Sequence, residues 1–224
     1  MYLVTAATGF EMEPYRAAAT REAPALVTGI GPVETAVRLT TRLVTIHDRV
    51  SAVINFGVAG AYVGASGPRA GMLDLCFAER EVLGDLGVCL GAAIEPVTGP
   101  GLEAETVFEM DRTLLERAAA ILAREKTPFH RGTFVTVNCA TGTQRRGAML
   151  AALHGGLCEN MEGAAVARVC REFGLPCLEL RCVSNLVEDR NTKNWKLREA
   201  CRKAGEVTAR LVAGLAGEEG KEHD

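Results

Sequence analysis

Short apolar runs alternate with segments of helical periodicity along nearly the whole chain. The apolar runs are continuous, which is typical of strands that are buried on both faces of a sheet. We therefore predict strands over Tyr2–Ala7, Ala25–Thr28, Ala52–Phe56, Leu73–Glu79, Gly132–Asn138 and Cys177–Val183.

The clearest helical pattern follows Gly31. Pro32 suits the first turn of a helix, because this turn does not need the backbone N–H that proline lacks. We expect the buried face of this helix to consist of Val33, Ala36, Val37, Thr40, Leu43 and Val44. Further helices are predicted over Asp111–Lys126, Thr143–Leu153, Glu162–Phe173 and Leu197–Leu215.

This alternation of strands and helices predicts an α/β fold, a three-layer α/β/α sandwich around a twisted, mixed β-sheet. We expect one domain over residues 1–215 and a flexible polar tail over residues 216–224. Ligands of such sheets bind at the carboxyl ends of the strands, so the residues that follow each strand are the candidates for chemistry.

Charge and hydropathy narrow the range of partners. The 25 Lys and Arg residues are balanced by 28 Asp and Glu residues, which leaves a net charge of −3. Because no basic excess is present, we expect no nucleic-acid partner. No apolar run reaches about 18 residues and the first residues lack a basic leader, so we expect neither a membrane span nor a signal peptide.

The eight cysteines are spread widely, mostly within apolar segments, and no C-x-x-C pair occurs. A buried, reduced cysteine behaves as a small hydrophobic residue. The four histidines are far apart and lack the spacing of zinc ligands. We therefore predict a reduced, cytoplasmic protein with neither a metal nor an organic cofactor.

Four segments at predicted strand ends contain candidate functional residues. They are A-T-G-F-E-M-E-P, N-F-G-V-A-G from Asn55, E-N-M-E-G-A-A from Glu159 and R-C-V-S-N from Arg181. Most of these segments, taken alone, also have a purely structural explanation as a solvated loop, a tight turn, a helix N-terminus or a cap. Arg181 is harder to explain structurally, because a charge at the end of a buried strand needs a partner.

Taken together and in this order, G-I-G-P, N-F-G-V-A-G, N-M-E-G-A-A and R-C-V-S-N resemble the nucleoside phosphorylase/nucleosidase superfamily. The stretches M-E-G-A-A-V-A-R-V-C and R-C-V-S-N-L-V-E-D-R-N-T-K-N-W are most similar to the futalosine hydrolases, which are nucleosidases of the menaquinone pathway. The likeness runs from Leu3 to about Leu215. It implies cleavage of an N-ribosidic bond through an oxocarbenium-like transition state.

The resemblance implies a role for each catalytic candidate. Glu11 would orient and deprotonate the attacking water, with Glu13 as the alternative. Glu162 would accept hydrogen bonds from both the 2′- and 3′-hydroxyls of the ribose, and Met161 would pack on the sugar. Arg181 would position this polar cluster through charge-assisted hydrogen bonds.

The resemblance also implies which nucleophile is used. Val58, Ala59 and Gly60 would line the sugar side through their backbone. Phosphorylases of the superfamily usually place a hydroxyl at the position of Val58 to bind phosphate, whereas valine offers no hydrogen bond to an anion. The surrounding G-V-A-G-A-Y-V-G has no Lys or Arg. We therefore expect water as the nucleophile.

The implied base pocket consists of Ala140, Thr141 and Asn185, with Ser184 beside it. Methylthioadenosine nucleosidases carry an aspartate at the position of Asn185. An amide offers a donor and an acceptor but no transferable proton, which suits a 6-oxopurine such as the hypoxanthine of futalosine. The alternatives are an adenine-releasing nucleosidase, a purine nucleoside phosphorylase and a non-catalytic nucleoside-binding protein.

Futalosine also carries a benzoate-containing arm beyond the ribose 5′ carbon. Trp195 would stack on its ring, and Arg190 or Lys193 would pair with its carboxylate; the alternative is a solvated, charged loop around one packed indole. Relatives form homo-oligomers in which a neighbour closes the 5′ side. We therefore expect a homo-oligomer, whose second subunit could supply the cation.

Overall fold

A computed structural model describes residues 1–64, 67–90 and 93–219. The described residues form strands β1 Tyr2–Ala6, β2 Ala25–Val27, β3 Ala52–Gly64, β4 Gly67–Pro68, β5 Leu75–Leu83, β6 Val88–Leu90, β7 Ala93–Glu95, β8 Val107–Glu109, β9 His130–Thr136, β10 Gly156–Asn160 and β11 Cys177–Val187. They also form helices α1 Gly9–Ala18, α2 Pro32–Ile46, α3 Arg112–Arg124, α4 Gln144–His154, α5 Gly163–Glu172 and α6 Leu197–Glu219. Within these ranges, no helix is long and apolar enough to cross a membrane.

The central sheet is mixed, with the strand order β10-β9-β5-β11-β3-β1-β2. β3 runs parallel to β1 and β11, and β9 runs parallel to β5 and β10, whereas β5 and β11 are antiparallel. The long β3 also pairs antiparallel with β10 through Gly60 and Ala61. This extra pairing joins the edge strand β10 to the interior strand β3 and closes β3, β11, β5, β9 and β10 into a ring.

Helices cover both faces of the sheet. Helices α1, α3 and α6 pack on one face, against a core that includes Val4 and Ile54. Helices α2 and α5 pack on the other face, where Leu3 and Val53 are buried. Adjacent residues enter opposite cores because successive side chains of a strand point to opposite faces. The predicted three-layer α/β/α sandwich is confirmed.

Two central strands are longer than predicted. β3 continues beyond Phe56 to Gly64, and β11 continues beyond Val183 to Val187. The two extensions pair with each other, so each supplies the backbone hydrogen bonds of its neighbour. The glycines of N-F-G-V-A-G therefore lie inside a strand, and their interpretation as a tight turn is wrong.

Two elements near the cavity were not predicted. α1 contains Pro14 and buries only Glu11, Met12 and Tyr15, so its periodicity is weak. β10 is five residues long and ends in Glu159 and Asn160, which are polar but buried.

The C-terminal helix differs from its predicted extent. α6 runs to Glu219, beyond the predicted end at Leu215. The predicted tail is therefore helical over residues 216–219. Its last five residues, 220–224, lie outside the described part of the chain.

The predicted buried face of α2 is largely wrong. Thr35, Leu39 and Leu43 are the residues that it buries, at a spacing of four, and Leu43 alone belongs to the predicted set. Val33, Val37 and Val44 are instead 73%, 59% and 71% exposed. Apolar side chains occur on both sides of this helix, so the position of α5 decides which side is covered.

Candidate active site

All of the predicted site residues line one cavity of about 390 Å³. They are Glu11, Val58, Ala59, Gly60, Ala140, Thr141, Met161, Glu162, Arg181, Ser184, Asn185 and Trp195. The parallel pairing of β3 with β11 places Arg181 opposite Gly57, which brings two of the four motifs side by side.

Glu11 is held at the cavity wall by four hydrogen bonds. Thr8 caps α1: its Oγ1 accepts from the Glu11 N–H (3.2 Å), while its own N–H donates to Glu11 Oε2 (3.1 Å), which is a capping box. The Thr8 hydroxyl also donates to Oε2 (2.8 Å), and the Val58 N–H donates to Oε1 (3.1 Å). The carboxylate is thus fixed in a buried position, 6% exposed.

Glu13 lies on the other side of the same helix. Two residues correspond to about 200° of rotation around an α-helix. Glu13 is accordingly exposed and is not among the residues that line the cavity. The geometry favours Glu11 over Glu13 as the predicted base.

Gly57 allows the carboxylate and the arginine to approach each other. A side-chain carbon at this position would lie 2.5 Å from Glu11 Oε1 and 2.7 Å from the Nη1 atom of Arg181. The space that Gly57 leaves open is therefore occupied by two side chains of the protein.

Glu162 links the G-I-G-P segment to the cavity. Its Oε1 accepts a hydrogen bond from the Gly31 N–H (3.0 Å), and its side chain is buried at the start of α5. Burial raises the pKa of Glu162, while the charge of Arg181 and the Gly31 hydrogen bond oppose that rise. The second oxygen, Oε2, lies 3.5 Å from Arg181 Nη2.

Arg181 is almost completely buried and contacts more than one anion. Its Nε donates to Glu179 Oε1 (2.8 Å), and its Nη1 donates to the Val58 carbonyl (3.2 Å). Burial alone would lower the pKa of Arg181, but the nearby carboxylates of Glu179, Glu162 and Glu11 raise it. The guanidinium is therefore charged, which provides the partner that its position in the sequence required.

A β-bulge shapes the predicted base pocket. Val183 pairs with Ala59 and Asn185 pairs with Gly60, so Ser184 is an extra residue in β11. As a result, both Ser184 and Asn185 line the cavity. The Ser184 hydroxyl donates to Asn185 Oδ1 (2.9 Å), which orients the amide.

Glu159 is a cavity residue to which the sequence analysis gave no role. Its Oε1 accepts from the Thr141 N–H (2.8 Å), and the Tyr62 hydroxyl lies beside the same carboxylate. Burial raises the pKa of Glu159. It precedes N-M-E-G-A-A directly, but its burial depends on β10, which was not predicted.

The mouth of the cavity has two arginine–aromatic pairs. The Arg190 guanidinium lies over the Trp195 ring, 4.7 Å from its centroid, and both residues line the cavity. The Arg198 guanidinium lies 5.6 Å from the ring centroid of Phe10, which also lines the cavity. Lys193, the other predicted cation, is not among the lining residues.

Comparisons with known proteins agree with this architecture. The sequence profile described as the phosphorylase superfamily matches residues 10–216, so the chain belongs to this superfamily. A futalosine hydrolase of Thermus thermophilus is 33% identical over 192 residues, which cover 86% of this chain and 82% of that protein. A futalosine hydrolase of Streptomyces coelicolor is 35% identical over 164 residues, 73% of this chain and 66% of that protein.

The fold is also that of known structures. A mutant futalosine hydrolase of Helicobacter pylori superimposes with a TM-score of 0.81, at 21% identity, over 95% of this chain and 98% of that chain. At this identity the superposition establishes the fold.

Proposed function

We propose that the protein hydrolyses the N-ribosidic bond of futalosine and releases hypoxanthine and dehypoxanthine futalosine. The observation that carries the proposal is the arrangement of Glu11, Glu162 and Arg181 around one cavity that also contains Asn185. Its similarity to the futalosine hydrolases of Thermus thermophilus and Streptomyces coelicolor supports the choice of substrate.

In this mechanism Glu11 activates water. Its carboxylate is fixed by Thr8 and Val58 at the cavity wall, so it can orient one water and accept its proton. Positive charge develops on the ribose in the transition state. The negative charges of Glu11 and Glu162 stabilise it, because both lie in a buried region of low effective dielectric constant.

Glu162 binds the sugar. An ionised carboxylate has lone pairs for both the 2′- and the 3′-hydroxyl in addition to the Gly31 N–H that it already accepts. Met161 precedes Glu162 and lines the same cavity, where its flexible thioether packs on the ribose.

Asn185 and Glu159 offer hydrogen-bonding groups that match those of hypoxanthine, the leaving base. The Asn185 amide can donate to the N7/O6 edge of hypoxanthine as negative charge builds on it. Hypoxanthine also carries a proton at N1, for which the Glu159 carboxylate at the cavity lining is a hydrogen-bond acceptor. Adenine has a lone pair at N1 and offers this carboxylate no proton there. Both residues therefore favour a 6-oxopurine over adenine, which the alternative nucleosidases would release.

Water suits this cavity better than phosphate does. The Val58 N–H, which could bind an anion, is already donated to Glu11. The cations at the cavity lining are Arg181, which is occupied by carboxylates, and Arg190 at the mouth. A phosphate beside Glu11 and Glu162 would be repelled by both.

The arm of futalosine fits the mouth. Trp195 offers an aromatic face, and Arg190, which lies over it, is a cation for the benzoate carboxylate. Ile30, 61% exposed, borders the mouth, and the exposed Val33 and Val37 follow it on α2. A second subunit that covered these side chains would also border the 5′ side of the site. The proposal therefore includes a homo-oligomer, which we place in the cytoplasm.

The experiment is an assay of base release. The protein is incubated with futalosine, inosine, adenosine and methylthioadenosine, with and without phosphate, and the base and sugar products are identified. We expect hypoxanthine from futalosine at a rate that phosphate does not change. A sugar 1-phosphate product would favour a phosphorylase. Release of adenine would favour an adenine-releasing nucleosidase. Binding without turnover of any of the four nucleosides would favour a non-catalytic binding protein.

A further inference from the structure

Two buried carboxylates bind residues of the cavity lining, Asn160 and Arg181, and the mechanism above gives them no role. Glu81 on β5 and Glu179 on β11 are both 0% exposed. A side-chain carbon at Gly163, the first residue of α5, would overlap both Glu81 Oε1 and Glu179 Oε2. The two oxygens therefore share the space that this glycine leaves open, and the two carboxyl groups face each other.

The hydrogen bonds around this pair are complete except at one atom. Glu179 Oε1 accepts from Arg181 Nε (2.8 Å) and from Asn55 Nδ2 (3.1 Å). Glu81 Oε1 accepts from Asn160 Nδ2 (2.5 Å), and Glu81 Oε2 accepts from the Thr136 hydroxyl (2.8 Å). Glu179 Oε2 is buried and has no donor among the residues that the structure describes.

A proton on Glu81 Oε1 supplies the missing donor. A protonated carboxyl oxygen can accept from Asn160 and donate to Glu179 at the same time. Burial raises the pKa of Glu81 well above its usual range, and the charge of Glu179 adds to this effect. Two facing carboxylates in a buried site hold one proton between them, because both cannot ionise without strong repulsion.

The remaining charged and titratable groups around Glu81 are accounted for. Arg181 on β11 is the cation of the cluster. Burial raises the pKa of the Cys158 thiol on β10. A hydrogen bond with Cys170 and burial together raise the pKa of Cys177 on β11, so both thiols are neutral. From β9 and α5, Glu81 meets the uncharged Thr136 and Gly163.

The distances around Arg181 indicate what the pair does. Charge-assisted N–H···O bonds are about 2.7–2.9 Å long. Arg181 makes one of this length to Glu179, whereas its Nη2 is 3.5 Å from Glu162. If Glu179 did not hold it, the guanidinium would move onto Glu162 and occupy the oxygen that the sugar hydroxyls need.

We propose that Glu81 carries a proton, which it donates to Oε2 of Glu179, and that this pair is a positioning device that holds Arg181 away from Glu162. The inference rests on the proposed function in one respect, namely that Glu162 binds the ribose hydroxyls. The location of the proton does not depend on the substrate.

Glu81→Gln and Glu179→Gln form a matched pair of variants, because each replaces a buried carboxyl with a neutral group of the same shape. In Glu81→Gln the side chain stays neutral and still donates to Glu179, although it no longer accepts from Asn160. The kcat/KM for futalosine at neutral pH should therefore change by less than about 5-fold. Glu179→Gln removes the anion that holds Arg181, and kcat/KM should fall at least about 10-fold. The reverse order of the two effects, or equal effects, would overturn the proposal.

The pH profile distinguishes positioning from a purely structural role. Wild-type kcat/KM should fall at alkaline pH, where Glu81 gives up its proton and repels Glu179. Glu81→Gln has no proton to lose at this position, so its profile should lack this alkaline decrease. An unchanged alkaline limb in Glu81→Gln would contradict the assignment of the proton to Glu81.

Infrared spectroscopy tests the proton without substrate. With ¹³C-labelled glutamate, the un-ionised carboxyl stretch at neutral pH should weaken in Glu81→Gln and persist in Glu13→Gln, the exposed control. If Glu81→Gln does not fold, the carboxyl band of the wild type is the test. We expect this band to disappear at alkaline pH, in the range where kcat/KM falls. Disappearance of the band already below neutral pH would overturn the proposal. Absence of base release by the wild type would refute the proposed function and leave this spectroscopic result intact.

Discussion

At the scale of single residues, the position of a carboxylate on a helix decides what it can do. Glu11 and Glu13 have the same chemistry and are two residues apart. Glu11 accepts hydrogen bonds from Thr8 and Val58 at the cavity wall, whereas Glu13 is exposed on the opposite side of α1. The two residues are therefore a natural test pair.

Glu11→Gln should lower kcat by ~10²-fold or more, because the amide keeps the shape but cannot take a proton from water. Glu13→Gln should leave kcat within about 2-fold, since surface substitutions away from a site have small effects. Steady-state kinetics with futalosine measure both. An active Glu11→Gln beside an inactive Glu13→Gln would assign the base to Glu13.

Asn185 provides a second test at this scale, which concerns the base. Asn185→Asp should lower hypoxanthine release by ~10²–10³-fold, because an ionised aspartate repels the departing 6-oxopurine anion and removes a positioned donor. A protonated aspartate could donate to N7 of an aminopurine, so activity on the 6-amino analogue of futalosine should rise relative to futalosine. Unchanged selectivity in kcat/KM would mean that Asn185 does not contact the base.

At the scale of elements, α6 holds α1, and with it Glu11, against the sheet. The helices meet at Gly205, where a side-chain carbon would lie 2.6 Å from the Tyr15 backbone nitrogen and 2.9 Å from Pro14. Gly217 lies on the same helix and has no atom within 4 Å of such a carbon. The two glycines differ in what surrounds them, and Gly217 lies in the last turn of α6.

Gly205→Ala should lower the free energy of unfolding by about 1–3 kcal/mol, because backbone atoms of α1 cannot yield to the added methyl group. Gly217→Ala should raise it by about 0.5–1 kcal/mol, the usual gain of alanine over glycine within a helix. Urea denaturation followed by circular dichroism measures both. A neutral Gly205→Ala would show that the contact between the helices is loose.

At the scale of the whole molecule, the exposed valines of α2 indicate a contact with a second subunit. Val33, Val37 and Val44 form one apolar stripe on α2, and Ile30 extends it to the cavity mouth. Adjoining exposed apolar side chains are typical of protein–protein contacts. This stripe supports the proposal that a second subunit borders the 5′ side of the site.

Val37→Lys should shift the protein towards monomer, because a buried, unpaired ammonium opposes association. Thr45→Lys places the same charge on an exposed position of α2 outside the stripe and should leave the assembly unchanged. Sedimentation velocity measures the molecular mass of each variant. A wild-type monomer, or equal behaviour of the two variants, would refute an interface at this stripe.

The sequence by itself determined the main buried strands, the long helices, the α/β class and most residues of the candidate site. These features depend on local patterns. A buried strand has a continuous apolar sequence, and each motif contains its own reactive side chains. The resemblance of these motifs to a known superfamily indicated Glu11, Glu162, Arg181 and Asn185 before the fold was known, and the structure places all four at one cavity.

Only the tertiary structure decided how far β3 extends, which face of α2 is covered and which buried carboxylates meet. β3 is long because β11 and β10 pair with it, and Glu81 faces Glu179 because Gly163 leaves room between distant segments. Each of these contacts joins residues far apart in the chain. Hydrophobic periodicity carries no information about such partners, so the packing had to supply it.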